Sequence, residues 1–154
     1  MHQMDSPEWA GDGLTIEAPC NYQLVLDNLM DLTHEEFVHH SSIGQEELSE
    51  SDFTTRREAD GSVTVTRWIR DVTPPPFWLK NIRDRFPGFD GRVDRWQIIH
   101  YYAPSTICID VGVAPHRHRR ARGRPQPGAS TGTSMNTITP ETERSSHYFW
   151  AFMR

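Results

Sequence analysis

The sequence predicts an α+β domain built mainly on an antiparallel sheet. Three observations carry that expectation. The second half of the chain is dense in aromatic and β-branched runs separated by short turn signals. An early segment places apolar residues at helical intervals. A proline-led stretch in the middle carries the start and stop signals of a second helix. At 154 residues there is room for one domain with a core and too little for two.

The elements follow in chain order. "LTIEA" (14–18) alternates and reads as a short strand. From Tyr22 the apolar positions Leu24, Val25, Leu29 and Leu32 form a helical stripe, and Asn21 suits the N-cap. "DFTTRREA" (52–59) and "SVTVTRWIRD" (62–71) flank Asp60-Gly61, a dipeptide fit for a tight hairpin because glycine tolerates positive φ. "TPPPFWLKNIRDRF" (73–86) opens with prolines, as a first helical turn permits, and stops at Pro87-Gly88. "RVDRWQIIHYYA" (92–103) and "TICIDVGVA" (106–114) read as strands about a turn at Pro104-Ser105. "GTSMNTIT" (132–139) and "SSHYFWAFM" (145–153) pair around "PETER". No internal repeat is present.

Composition narrows the function classes. No run of 18 apolar residues occurs, and the first residues lack the basic and apolar parts of a signal peptide, so the expectation is a cytoplasmic protein with no membrane partner. A net charge of −5 makes nucleic acid an unpromising partner. The balance is uneven, because "HRHRRARGR" (116–124) holds five of the sixteen basic residues. Cys20 and Cys108 stand far apart and read as buried thiols.

Chemistry gathers in "NYQLVLDNLMDLTHEEFVHH" (21–40). His34 and His39 resemble at first the H-E-x-x-H helix of zinc proteases. There the histidines are four apart, about 40° around the helix, and can share an ion. Here they are five apart, about 140° on a regular helix, so the helix must end or distort for both to reach one ion. Asp31 and His34, three apart, share a face, with Asp27 and Asn28 one turn earlier. The string is D-N-x-x-D-x-x-H-x-x-x-x-H. Two imidazoles and a carboxylate with open positions suit ferrous iron. Asp27, Glu35 and Glu36 read as a solvated acidic face, His40 as a bystander, and Trp96, Tyr101, Tyr148 and Trp150 as packing residues.

The stretch "NYQLVLDNLMDLTHEEFVHHSSIG" resembles the iron-binding segment of the oxygenase components of Rieske non-haem iron oxygenases, nearest the vanillate O-demethylase-like branch. The resemblance runs on, in order, through "PPPFW", "VDRWQ", "DVGVAP", "NTITPETE" and "HYFWAF". It implies that His34 and His39 ligate a mononuclear iron. It makes Asp31 the bridge for electrons from a Rieske cluster on a neighbouring subunit, and places Asn28 close to the metal. A carboxylate at Asp31 can fix the His34 tautomer. It also implies a helix-grip fold, a curved antiparallel sheet around a long iron-bearing helix. The implied reaction is O-demethylation or ring hydroxylation of an aromatic substrate with dioxygen, fed by a reductase component in a homotrimeric assembly.

The sequence departs from that pattern in three places. The paired C-x-H and C-x-x-H motifs of a Rieske [2Fe–2S] centre are missing, as is the later helix whose aspartate completes the iron triad. Residues 1–154 are therefore expected to be a partial catalytic domain, without the N-terminal Rieske domain and the C-terminal helix. After "DVGVAP", relatives continue with a Thr-Gly-Thr-Gly-like loop, whose codons read in a shifted frame give His-Arg-His-Arg. Residues 116 to about 130 thus read as a frame-shifted segment, or else as a basic loop for phosphate or nucleic acid. Two alternatives to an oxygenase stand beside it: a helix-grip module that binds an apolar ligand, and an inactive fragment.

Overall fold

The computed structural model describes residues 6–83, 89–116 and 129–154. Among these, seven strands form one sheet in which each neighbouring pair is antiparallel. They are β1 (Gly11–Ala18), β2 (Phe53–Arg57), β3 (Val63–Val72), β4 (Val93–Tyr102), β5 (Thr106–Pro115), β6 (Ser130–Thr142) and β7 (Ser145–Met153). The spatial order is β1-β7-β6-β5-β4-β3-β2. The helices are short: α1 (Tyr22–Met30), α2 (Glu35–Val38), α3 (Glu47–Glu50) and α4 (Pro76–Arg83). The α+β expectation holds. The shifted-frame reading of 116 to 130 falls largely on residues outside those described, and the predicted helix stop at Pro87-Gly88 lies wholly outside them.

Hairpin signals place the strands well. Gly61 has φ of 87°, and the Ser62 amide donates to Asp60 Oδ1 at 3.0 Å, so the tight turn forms where Asp60-Gly61 predicts it. Between β3 and β4 the register shifts at Ile69/Val72, where Asp71 takes a left-handed φ of 52°. β1 begins earlier than its sequence pattern suggests, and Leu14 and Ile16 are exposed because the strand is an edge.

One sheet face carries two apolar clusters. Leu26 and Leu32 pack with Val65, Ile99, Ile107 and Ile138 in the first. Trp78 and Ile82 of α4 pack with Ile69, Val72, Val93 and Val113 in the second. Alternation along β3 and β4 puts Arg67, Gln97 and Arg95 on the same face, between these clusters. All three are buried. That polar belt is where the catalytic-looking segment lies.

The chain crosses from edge strand β1 to edge strand β2 through residues 19–52, which contain α1, α2 and α3. The long iron-bearing helix that the resemblance implies does not form as one element. α1 starts as predicted, with Asn21 Oδ1 accepting from the Gln23 amide at 2.9 Å, but it ends at Met30. The cause is local. Asp31 adopts an extended backbone, and its Oδ1 accepts from the Thr33 amide at 2.7 Å and the Thr33 hydroxyl at 2.6 Å. Aspartate competing for a backbone amide two residues on is a standard way to stop a helix. Among the described residues no helix is long and apolar enough to cross a membrane. Cys20 and Cys108 are free and half-buried rather than buried.

Candidate metal centre

The end of α2 at His39 bears on the spacing problem. His34 caps the start of α2 and His39 caps its end, with φ of −114° and ψ of 21° that leave the helical region. Their rings meet edge to face, with centroids 5.4 Å apart and planes at 66°. Both line a cavity of about 150 Å³ together with Asn28, Leu29, Asp31 and Glu35. Leu32, Ile43, Gln97, Ile99 and Ile109 complete its walls. Thus two imidazoles that a regular helix would point apart are brought to one space.

Asp31 also reaches that space, by a route the sequence did not suggest. It does not share a helix face with His34, because the helix has already ended. Its Oδ2 lies 3.4 Å from His34 Nδ1. That is an electrostatic contact short of a hydrogen bond, and Nδ1 is sealed from solvent with no well-aligned partner. Burial pushes the Asp31 carboxyl up, but the two Thr33 hydrogen bonds and His34 outweigh it and hold the group below the ordinary aspartate range. Asn28 stands on the last turn of α1 and lines the same cavity.

A residue assigned to the solvated face belongs to the site instead. Glu35 Oε1 and Oε2 accept from Gln97 Nε2 at 2.7 and 2.6 Å, and Oε2 accepts from Arg95 Nη2 at 3.3 Å. The signal was available in "VDRWQII", where Arg95 and Gln97 share a strand face with Val93 and Ile99. Polar groups on a buried face require partners. Arg67 donates from Nη1 to the Leu32 carbonyl at 2.8 Å and so fixes the break between α1 and α2. Asp27 and His40 are exposed. Trp96 lies on the opposite sheet face, its indole N–H donating to Asp110 Oδ1 at 3.0 Å.

The donor set fits a divalent metal in part. Two imidazoles converge on one cavity, and a carboxylate backs the first of them. Among the described residues no group of three or more His, Cys, Asp or Glu side chains is arranged to hold an ion.

The antiparallel sheet with its few short helices has the fold of the catalytic domain of Rieske-type oxygenase components. Residues 18–154 match the family model described as the vanillate O-demethylase oxygenase C-terminal domain, and the chain belongs to that family. It is 43% identical over 150 residues to a vanillate O-demethylase oxygenase subunit of Pseudomonas sp. (strain HR199 / DSM 7063), covering 97% of this chain and 42% of that one. It is 33% identical over 152 residues to a toluene-4-sulfonate monooxygenase system iron-sulfur subunit of Comamonas testosteroni, covering 97% of this chain and 42% of the relative. A crystal structure of dicamba monooxygenase bound to 3,6-dichlorosalicylic acid superposes with a TM-score of 0.82 at 28% identity. That match covers 99% of this chain and 42% of the other. The chain therefore spans about two-fifths of the length of these relatives.

Proposed function

We propose that this chain is the catalytic portion of an oxygenase that acts on an aromatic substrate with dioxygen, and that His34 and His39 hold a mononuclear ferrous iron. The convergence of the two rings on one cavity carries the reading. The kinship with oxygenase subunits supports it, as does the solved dicamba monooxygenase described with non-haem iron, 27% identical with a TM-score of 0.69 over 99% of this chain and 39% of the other.

Iron bound here would supply activation of dioxygen. The protein's own part is more specific. His34 Nδ1 faces Asp31, which leaves Nε2 as the nitrogen free to ligate. Asp31 holds the tautomer with a proton on Nδ1 and offers a negative charge on the route toward a neighbouring subunit's Rieske cluster. Asn28 places an amide at the edge of the cavity for a hydrogen bond near the metal. Leu29, Leu32, Ile43, Ile99 and Ile109 supply apolar wall for a ring. A volume of about 150 Å³ matches the scale at which an apolar protein cavity accepts one benzene ring. The complete assembly we propose adds the remaining iron ligand, the cluster, a reductase and a trimeric arrangement.

Anaerobic titration with ferrous iron tests the site. Wild type is expected to bind one equivalent, with His34→Ala and His39→Ala each at least tenfold weaker. Equal, weak binding by all three would sink the assignment. The aliphatic walls also favour a second reading, an apolar-ligand module without turnover. Unchanged ring affinity in the double histidine variant, with no iron bound by wild type, would select it.

A further inference from the structure

We propose that Glu35 is the positioning residue of the metal centre: through Gln97 and Arg95 it docks α2 on strand β4 and so sets the spacing of the two imidazoles. The inference rests on the reading of His34 and His39 as ligands and adds a residue that reading does not need.

The helix between the histidines is anchored by no buried residue of its own. α2 is a single turn and buries none of its four residues. Phe37 and Val38 are 74% and 65% exposed, so no apolar side chain of theirs anchors it to the sheet. A lone turn is not stable by itself in water, because nucleation fixes several dihedrals for one hydrogen bond. Glu35 supplies the missing contact. It accepts from two groups on β4, Gln97 and Arg95, which are themselves 1% exposed and locked in the sheet. Arg95 is braced from the other side by Gln45 Oε1 at 2.9 Å.

Glu35 acts on both histidines at once. It directly follows His34, so fixing its side chain fixes the backbone that carries the first ring. Its carbonyl accepts from the His39 amide at 3.0 Å, which holds the second ring's backbone at the end of the turn. Gly44 closes against the same carbonyl, where a Cβ would lie 2.5 Å from Glu35 O. Glu35 thus links β4 to both ends of the turn, through its carboxylate at the sheet and its main-chain carbonyl at His39.

The orientation of the Gln97 amide follows. A carboxylate cannot receive from an amide oxygen, so Nε2 must face Glu35, and Oε1 is left buried without a partner. That orphan acceptor gives the conservative variant a means of rescue. In Glu35→Gln, Oε1 can still accept from Arg95, and the Gln97 amide can turn its free Oε1 toward the new NH2 donor.

Cobalt(II) is the probe, added to the metal-free full chain and followed by its visible absorption, with circular dichroism and thermal unfolding on the same samples. Glu35→Ala is expected to weaken cobalt binding at least tenfold and shift its absorption, while Glu35→Gln stays within about threefold of wild type. Ile82→Val, which lightens the other apolar cluster, serves as a destabilised control and is expected to keep wild-type affinity and spectrum. Wild-type affinity and spectrum in Glu35→Ala would overturn the proposal and leave the two-histidine site standing. Loss in Glu35→Ala matched by equal loss in Ile82→Val would also overturn it, as a mere stability effect. If wild type itself binds no cobalt, the ligand reading falls and this inference with it.

Discussion

Arg67 Nη1 donates to the carbonyl of Leu32 at 2.8 Å, joining the middle of β3 to the break between α1 and α2. The arginine is 3% exposed, and the backbone group it satisfies belongs to no helix. Burial lowers its pKa, while Glu35 and Asp31 push it back up. A buried guanidinium thus serves the backbone of the site segment with two carboxylates close enough to temper its cost.

Arg67→Ala should therefore act on the site as well as on the fold. It leaves a void and an unsatisfied carbonyl, and a loss of about 2–4 kcal/mol is expected in urea unfolding. Metal affinity should fall in parallel, since the break no longer has its clamp. A variant of unchanged stability would show that the Leu32 carbonyl finds another donor.

Asp94 and Asp110 lie on the opposite sheet face and should respond to acid in opposite senses. Asp94 is buried, which raises its pKa, but it lies 2.7 Å from His116 Nδ1 and accepts from the Asp71 amide and from Arg70. The net effect holds it below the ordinary aspartate range. Its contribution is present above about pH 4 and is lost as pH falls through the lower folded value. Asp94→Asn should cost about 1–3 kcal/mol at pH 7, and the gap to wild type should close on acidification.

Asp110 is raised by burial, which the Trp96 hydrogen bond and His100 only partly offset. The sign reverses: wild type is penalised as pH climbs above the unfolded value of about 4, until the folded value is passed. Asp110→Asn keeps an acceptor for Trp96 and should be more stable than wild type at pH 7, with the difference vanishing near pH 3. Unfolding midpoints across that range check both aspartates in one series.

Gly112 lies beneath Trp96, where an added Cβ would overlap the indole and come 2.8 Å from the Ser130 carbonyl. Gly112→Ala should cost about 1–3 kcal/mol and displace the Trp96 indole from Asp110. A shift in tryptophan emission together with a lower unfolding midpoint is the expected result. An unchanged spectrum would mean the strands separate instead.

The sheet was legible because its signals are local. Asp60-Gly61 and Pro104-Ser105 fall at strand ends, and alternation in 92–103 and 106–114 fixes which side chains face inward. The site was legible in its residue types and not in its backbone. A stripe of Leu24, Val25, Leu29 and Leu32 invites one helix through His39, but Asp31 gives its carboxylate to Thr33 and ends it. The Asp-x-Thr step was the available sign. Glu35 was misplaced for a different reason: its partners are on β4, 60 and 62 positions away, and helical periodicity says nothing of them.

Strand order also governs when the centre can be assembled. β2 pairs with β3, its immediate successor, whereas β1 pairs with β7, with Gly11 opposite Met153. The segment bearing both imidazoles is therefore moored early at one side of the sheet and very late at the other. Contacts so distant along the chain require costly loop closure and slow the search for the native arrangement. Metal capture during refolding should then be among the last events, reporting that the final strand has arrived.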